Sequence, residues 1–298
     1  YNPDTEITVT SGATQAIFTA IAAVINPGDE VIIFEPAYDC YAPAVKMFGG
    51  LVKPYEMLPP DYSIDWEMVK KLFSANTRMI IINSPHNPTG SIFTENDIRE
   101  LIRLTKGTDI IILSDEVYEH IIFDGQQHYS LSMYPELKER SFIVASFGKL
   151  LHATGWKIGY CLGPAKLMAE FRKVHQFNVF CSNHPLQESI AQYLQDEHHY
   201  IGLPSFFQKK RDLFRELIAP GRFKLLPCNG SYFQCLSYES ISNEKDTEFA
   251  RMLTTDFGVA GIPVSAFYQK GKDHHIIRFC FAKMDDTIEQ AAKKLLLV

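Results

Sequence analysis

Short apolar runs alternate with amphipathic stretches over residues 1–166 of the chain. Amphipathic stretches at 66–73 and 95–106 predict helices, because their apolar residues recur at helical spacing. The apolar runs are bounded by polar turn residues, which is typical of strands; they lie at 7–10, 30–34, 51–55, 79–82, 110–113, 142–145 and 158–162. Strands that are apolar throughout and separated by helices form mostly parallel sheets covered on both faces. We therefore predict an α/β fold with a mostly parallel sheet.

The pattern changes toward the C-terminus. Residues 167–194 predict one long helix, and further helices are predicted at 248–256 and 286–297. Strands of a second sheet are predicted at 222–226, 232–236, 259–263 and 276–281. These elements predict a smaller α+β domain, which divides the chain into domains 1–196 and 197–298. The chain begins at Tyr1 rather than Met, so we expect an N-terminal part of the protein to be missing.

Composition and charge narrow the class of protein. Hydrophobic residues make up 46% and charged residues 21%, which is typical of globular proteins. The net charge of −6 argues against a nucleic-acid partner, which would favour a basic surface. The sequence has no signal peptide and no apolar run long enough to span a bilayer, so we expect no membrane partner. Six cysteines without a C-x-x-C pair favour a reduced, cytoplasmic protein with neither a disulfide framework nor a metal site.

Lys149 is the most unusual position in the chain. It follows the apolar run 142–145 and lies in a turn of Ser, Gly and Thr. A lysine so close to a buried strand is an odd surface charge, but it suits a desolvated and reactive amine of the Schiff-base kind. Ser146 and Lys157 flank it in sequence, and both side chains can hold an anion such as a phosphate near the amine.

Other candidate residues follow the predicted strands, where parallel sheets bind their ligands. Gly12, Ala13 and Thr14 open a helix, and their backbone N–H groups suit a phosphate, although a plain helix N-cap explains the same pattern. Tyr38 suits stacking on a planar ring, although an aromatic residue after a strand is more often part of the core. Asp115 follows a buried strand and needs a partner such as a cationic ring nitrogen, unless it caps the next helix.

Three more polar residues are candidates for binding. Asn87 lies in a turn rich in Asn and Pro, which is either a surface turn or a holder of a phenolic oxygen or a carboxylate. Tyr118 would share a face with Asp115 if the segment were helical. Arg278 lies within an apolar strand, where a structural ion pair and a grip on a substrate carboxylate are equally good interpretations.

The order of these motifs makes the chain resemble the fold-type I pyridoxal-phosphate aminotransferases. Within them it is most similar to the class I branch of methionine and kynurenine (glutamine transaminase K type) aminotransferases. No G-x-G-x-x-G or G-x-x-x-x-G-K-[ST] sequence occurs, which argues against dehydrogenases and P-loop proteins. The motifs that carry the resemblance are 10–14 (TSGAT), 26–32 (NPGDEVI), 35–41 (EPAYDCY), 83–90 (NSPHNPTG), 114–118 (SDEVY), 146–149 (SFGK) and 154–160 (TGWKIGY).

The resemblance implies an aspartate aminotransferase-like fold, with a mostly parallel seven-stranded sheet between helices and a smaller C-terminal α+β domain. It implies pyridoxal 5′-phosphate as cofactor, with Lys149 as its covalent attachment point and as the catalytic proton carrier. It implies that Asp115 pairs with the ring nitrogen, that Tyr118 and Asn87 hold the phenolic oxygen and that Tyr38 stacks on the ring. The implied phosphate-binding groups are those of Gly12, Ala13, Thr14, Ser146 and Lys157.

The resemblance also implies the reaction. Arg278, with Asn87, would bind the α-carboxylate of the substrate. The α-amino group of methionine, an aromatic amino acid or glutamine would move to a 2-oxo acid by a ping-pong mechanism in a homodimer. Two alternatives stay open: a cysteine-S-conjugate β-lyase on the same scaffold, and a non-catalytic ligand-sensing domain of a regulator. The chain departs from the family pattern at Leu150 and Leu151, which replace the usual polar or aromatic pair. The resemblance also implies that the N-terminal arm and the start of the small domain are missing from this sequence.

Overall fold

A computed structural model describes residues 1–298 and contains two sheets. The larger sheet has seven strands in the spatial order β1-β7-β6-β5-β4-β2-β3. All run parallel except β7, which is antiparallel to both of its neighbours, β1 and β6. The strands are β1 Ile7–Thr10, β2 Glu30–Glu35, β3 Leu51–Glu56, β4 Thr77–Asn83, β5 Ile111–Asp115, β6 Ser141–Ser146 and β7 Gly159–Leu162.

Nine helices accompany the larger sheet along the chain. None of the helices in the molecule combines the length and the apolar surface that a bilayer crossing requires. The nine are α1 Pro3–Glu6, α2 Ala13–Val24, α3 Tyr41–Met47, α4 Trp66–Lys70, α5 Glu95–Thr105, α6 Pro135–Lys138, α7 Phe147–Leu150, α8 Ala165–Asn178 and α9 His184–Tyr193.

Both faces of the larger sheet are covered, which explains why its inner strands are mostly apolar. Along β4, Met79 and Ile81 belong to the hydrophobic core formed with α2, α3 and α8. Ile80 and Ile82 point the other way, into the core formed with α4, α5 and α6. The alternation follows from the period of two along a strand.

The smaller sheet is antiparallel, with the spatial order β10-β11-β9-β8. Three helices pack on it through a third core that includes Phe214, Leu253, Phe279 and Ile288. The longest of them, over 203–218, is an element that the apolar pattern did not predict. The elements are β8 Lys224–Leu225, β9 Phe233–Ser237, β10 Ile262–Pro263 and β11 Ile276–Cys280, with α10 His198–Ile201, α11 Leu203–Ile218, α12 Asp246–Thr255 and α13 Asp285–Leu295.

The single helix expected over 167–194 is wrong, because the structure has two helices there, α8 and α9. The chain adopts a left-handed backbone conformation at Phe180, with a φ of 67°, and a helix cannot continue through it. Asn183 then caps α9, because its side-chain oxygen accepts a hydrogen bond from the backbone N–H of Leu186 at 3.1 Å.

Residues 228–231, which we call the cross-sheet turn, tie the smaller sheet to loops of the larger one. The backbone N–H of Gly230 donates to the carbonyl of Gly90 at 3.0 Å, and that of Ser231 donates to the carbonyl of Ile121 at 2.9 Å. A Cβ atom on Gly230 would lie 2.7 Å from the side chain of Pro85, so this approach requires glycine. The turn therefore fixes the start of β9 against the edge of the larger sheet.

Candidate active site

One cavity of about 530 Å³ lies between the carboxyl ends of the parallel strands and the smaller sheet. Its volume is in the range that holds a cofactor-sized molecule. The structure brings together every site residue that the sequence predicted: Gly12, Ala13, Thr14, Tyr38, Asn87, Asp115, Tyr118, Ser146, Lys149, Lys157 and Arg278 all line this cavity.

Strand direction explains how residues distant in sequence meet. Strands β1, β2, β4, β5 and β6 end at this edge of the sheet, and their following turns enter the cavity. Because β7 runs antiparallel to β6, its first residue lies at this edge, and Gly159 pairs with Ser146. Lys157, two residues before β7, therefore reaches the same end of the cavity as Ser146.

An anion site forms at the start of α2. Gly12 is the N-cap residue, with a φ of 81° and no side chain to satisfy the first N–H groups of the helix. The Lys157 amine lies close, since a Cβ on Gly12 would be 3.5 Å from its Nζ. The ion pairs of the chain involve other lysines, so this amine has no carboxylate partner. A free helix N-terminus beside an unpaired ammonium group favours a phosphate.

The anion site depends on a close approach at Gly159. A Cβ there would lie 2.6 Å from the carbonyl oxygen of Ala145 and 3.0 Å from the backbone nitrogen of Ala13. We expect Gly159→Ala to push the start of α2 away from β7, lowering the free energy of unfolding by about 1–3 kcal/mol and weakening cofactor binding. Thermal unfolding with and without pyridoxal phosphate measures both effects. Gly155→Ala is the matched control, because nothing lies within 4 Å of its Cβ position; equal losses in the two variants would contradict the prediction.

Asp115 is a buried carboxylate at the end of β5, with 3% of its surface exposed. The Tyr41 hydroxyl donates to its Oδ2 at 2.5 Å, and the backbone N–H of Val117 donates to its Oδ1 at 3.3 Å. Burial raises the pKa of Asp115 to about 6, although these hydrogen bonds act in the opposite direction. The Lys149 charge also acts to lower this pKa, but the carboxylate forms no ion pair, and a cationic group placed against it in the cavity would stabilise its charged form.

The segment after Asp115 is a turn and not a helix, so the alternative of Asp115 as a helix N-cap is wrong. The helical face expected for Tyr118 is absent for the same reason. Tyr118 still lines the cavity with Asp115, and it is buried against the ring of Tyr232 at 5.1 Å between centroids. The pKa of the Tyr118 hydroxyl is raised, first by burial and then by the neighbouring Tyr232.

Tyr38 is held in place by its neighbours. Its hydroxyl lies 3.2 Å from Oγ1 of Thr14. Its ring packs edge-on against Tyr41, with centroids 5.7 Å apart. Since Tyr41 also donates to Asp115, Tyr38 and Tyr41 together connect the first turn of α2 with the buried carboxylate.

Arg278 enters the cavity from β11 in the smaller sheet. Its guanidinium lies between the rings of Phe233, at 4.0 Å, and Phe267, at 4.8 Å. Its Nη1 donates to Oδ1 of Asn87 at 2.6 Å, while its buried Nε has no hydrogen-bond partner. The ion pairs of the chain involve other arginines, so the structural ion-pair interpretation is wrong. An unpaired guanidinium with a free donor is a preformed site for a carboxylate.

The Lys149 amine donates a hydrogen bond to the Tyr232 hydroxyl at 2.6 Å. Sequence reasoning missed Tyr232, which gave no signal because it lies 83 positions away, before a strand of the smaller sheet. It also missed Phe233 and Phe267, which pack on Arg278. Tyr41, Asn83 and Gly159 lie within the recognised motifs, but their contacts could be seen only in the structure.

Comparison with known proteins identifies the family. The family model described as aminotransferase class I and II matches residues 1–295. The chain belongs to this family. The methionine aminotransferase of Escherichia coli K12 is 45% identical over 298 residues, covering 99% of this chain and 77% of that protein. Kynurenine–oxoglutarate transaminase 1 of Rattus norvegicus is 33% identical over 329 residues, covering 99% of this chain and 77% of that protein.

Solved structures of aminotransferases share the fold. A crystal structure from Escherichia coli, described as having a methionine aminotransferase function, matches with a TM-score of 0.98 at 44% identity, covering 100% of this chain and 79% of that one. A Thermus thermophilus aspartate aminotransferase variant matches with a TM-score of 0.91 at 26% identity, covering 100% and 76%. The expected aspartate aminotransferase-like fold is confirmed.

The family fixes the cofactor class, and the residues present fit it. This aminotransferase is a pyridoxal-phosphate-dependent enzyme that acts on amino-acid and 2-oxo-acid substrates. The comparisons favour neither the β-lyase nor the ligand-sensing regulator. The cavity offers a site for the phosphate beside Gly12, a buried carboxylate for the ring and an amine for covalent attachment.

Proposed function

We propose that this aminotransferase takes its amino group from methionine, an aromatic amino acid or glutamine, and passes it to a 2-oxo acid in a ping-pong sequence. The observation that carries the proposal is the state of Arg278, which is unpaired and lies between two phenylalanine rings. It binds one carboxylate, the α-carboxylate of the amino acid. No second arginine lines the cavity, and the neighbouring groups of Ile262, Ala266 and Phe267 are apolar. These features favour a donor with an uncharged side chain.

The proposed binding roles follow the contacts described above. Pyridoxal phosphate, when bound, supplies an electron-withdrawing ring that stabilises negative charge at the substrate's Cα. Asp115 would keep the ring nitrogen protonated, Tyr38 would stack on the ring, and Tyr118 and Asn87 would hold its phenolic oxygen. The groups proposed to hold the phosphate are those of Gly12, Ala13, Thr14, Ser146 and Lys157.

Lys149 is the proposed catalytic residue. Its amine would hold the cofactor covalently, and once an amino acid has taken its place it would accept the proton from the substrate's Cα. The same amine would then give a proton to the cofactor carbon that is bonded to the amino nitrogen, so that one group would act as base and then as acid. Arg278 and Asn87 would orient the substrate for this step by binding its α-carboxylate in the cavity.

We also propose that residues 1–196 and 197–298 are two domains within the subunit of a cytoplasmic homodimer. The division is supported by the two sheets, of which the first ends at Leu162 and the second begins at Lys224. The dimer is supported by large apolar side chains that are unusually exposed, with Phe177 at 87% and Phe180 at 77%.

A donor panel tests the proposed substrate class. We expect kcat/KM for methionine and phenylalanine to exceed that for aspartate by at least about tenfold, because a second carboxylate would be desolvated without a partner. Formation of the 2-oxo acid product measures each rate, with one 2-oxo acid acceptor kept constant. Protein heated beyond unfolding supplies the background rate. Aspartate as the best donor would overturn the proposal.

A further inference from the structure

Tyr232 is the one side chain that hydrogen-bonds the Lys149 amine, at 2.6 Å. It directly precedes β9 of the smaller sheet, whereas Lys149 lies in the short helix α7 that follows β6 of the larger sheet. The amine also lies 5.2 Å from the centroid of the Tyr232 ring. The position of the Lys149 amine therefore depends on this hydrogen bond, and the residue that accepts it lies in a different part of the fold.

The position of the Tyr232 ring is fixed by packing on several sides. Tyr118 and Phe233 pack edge-on against it, with centroids 5.1 Å and 4.7 Å away, and Phe207 lies tilted at 5.8 Å. The cross-sheet turn directly precedes it and is bound by main-chain hydrogen bonds to the larger sheet. The hydroxyl therefore has little freedom to follow the lysine, so the lysine must come to the hydroxyl.

We propose that Tyr232 is a positioning residue that receives and orients the Lys149 amine whenever this amine is not attached to the cofactor. The proposal rests on the proposed function, in which Lys149 is released when an amino acid takes its place. The released amine would otherwise sample many rotamers, because a lysine side chain is long and flexible. Held by Tyr232, it stays in the cavity with its remaining N–H positions free to exchange a proton.

In the proton transfer by Lys149, Tyr232 accepts a hydrogen bond and neither gains nor loses a proton. Lys149 takes the proton from the substrate's Cα and becomes an ammonium group, which donates one N–H to the tyrosine oxygen. It would then give a proton to the cofactor carbon that is bonded to the amino nitrogen and return to the neutral amine. The phenol keeps its own proton throughout. Removing the hydroxyl should therefore slow the proton transfer without changing how the substrate carboxylate binds Arg278.

The test begins with cofactor-free protein, so that it measures the reactivity of the free Lys149 amine and not the activity of the enzyme with its cofactor. Tyr232→Phe keeps the packed ring and removes only the hydroxyl. Acetic anhydride labels amines, and peptide mass spectrometry compares labelling of Lys149 with that of the exposed Lys106 in the same sample. We expect Lys149 to be labelled about three- to tenfold faster in Tyr232→Phe, because a lost hydrogen bond to a charged group is of that size or larger.

The second measurement is steady-state kinetics. We expect kcat to fall about tenfold with methionine as donor, as loss of a charge-assisted hydrogen bond predicts, while KM changes less than about twofold. Tyr238→Phe is the matched control, because it removes a tyrosine hydroxyl that bonds the carbonyl of Glu244 away from the cavity, at 2.8 Å. It should change neither Lys149 labelling nor kcat.

The outcomes separate the two proposals. Unchanged labelling of Lys149 or unchanged kcat in Tyr232→Phe would overturn the role of Tyr232. If this occurs while Lys149→Ala is inactive, the proposed function stands. If Lys149→Ala retains activity, the proposed function itself fails. Equal effects of Tyr232→Phe and Tyr238→Phe would indicate a general loss of stability and would also overturn the positioning role.

Discussion

Lys149→Ala is expected to lower kcat for transamination by at least about a thousandfold, within the range that removal of an acid–base group produces. The substitution removes the attachment point of the cofactor and the group that carries the Cα proton. The cavity has one other lysine, Lys157, which lies beside Gly12 and not beside Tyr232. We expect it to be unable to replace Lys149.

The assignment can be checked directly on the wild-type enzyme. Borohydride reduction followed by peptide mass spectrometry should locate the cofactor on Lys149. Lys157→Ala is the matched control: it should weaken cofactor binding through the phosphate but leave attachment at Lys149 intact. Cofactor found on Lys157, or transamination by Lys149→Ala at the wild-type rate, would refute the assignment.

Asp115→Asn is expected to have the second-largest effect. Asparagine keeps the shape and the contact with Tyr41 but removes the negative charge. Breaking a buried charge pair costs about 3–5 kcal/mol, so we expect kcat/KM to fall by about a hundredfold or more. Steady-state kinetics with saturating pyridoxal phosphate measures the loss. Asp39→Asn is a control within the same cavity lining; an equal loss there would argue against a special role for Asp115.

The same substitution should stabilise the cofactor-free protein. The folded-state pKa of Asp115 is raised from 3.8 to about 6, so the folded protein binds this proton more tightly than the unfolded chain. Stability therefore falls as pH rises through that interval, and the cost is fully present above it. With about 1.4 kcal/mol per pKa unit, Asp115→Asn should gain about 1–3 kcal/mol at neutral pH. The gain should shrink toward pH 4; chemical unfolding at several pH values measures it, and a pH-independent gain would contradict this cause.

The inner part of the larger sheet could be predicted because strands β2, β4, β5 and β6 are buried on both faces. The short length and the polar turn residues around the apolar run 79–82 favour a strand over a buried helix, and the structure extends this run to Thr77–Asn83. The candidate residues could be predicted because the turns after parallel strands gather at one edge. Lys149 and Asp115 were both recognised in this way, from a charged residue placed directly after a buried strand.

Contacts between the sheets could not be predicted, because sequence pattern carries no information on which turns meet. The bond from Lys149 to Tyr232 and the stacking of Phe267 on Arg278 both join distant segments. The break after α8 was missed for a different reason. Its apolar spacing continues across the gap, while the left-handed backbone at Phe180 has no compositional marker such as glycine.

The cross-sheet turn connects the two sheets through contacts that lie outside the lining of the cavity. Its bonds join main-chain atoms, so this connection between the sheets does not involve the side chains that face the substrate. Glycine is needed at Gly230, where a Cβ would lie 2.7 Å from the side chain of Pro85, and at Gly90, where φ is 76°. Ile262 and Ala266 carry no such constraint, whereas Phe267 packs on Arg278. A mutant library restricted to Ile262 and Ala266 would therefore alter donor preference while retaining the scaffold, which makes the chain a starting point for engineered transaminases.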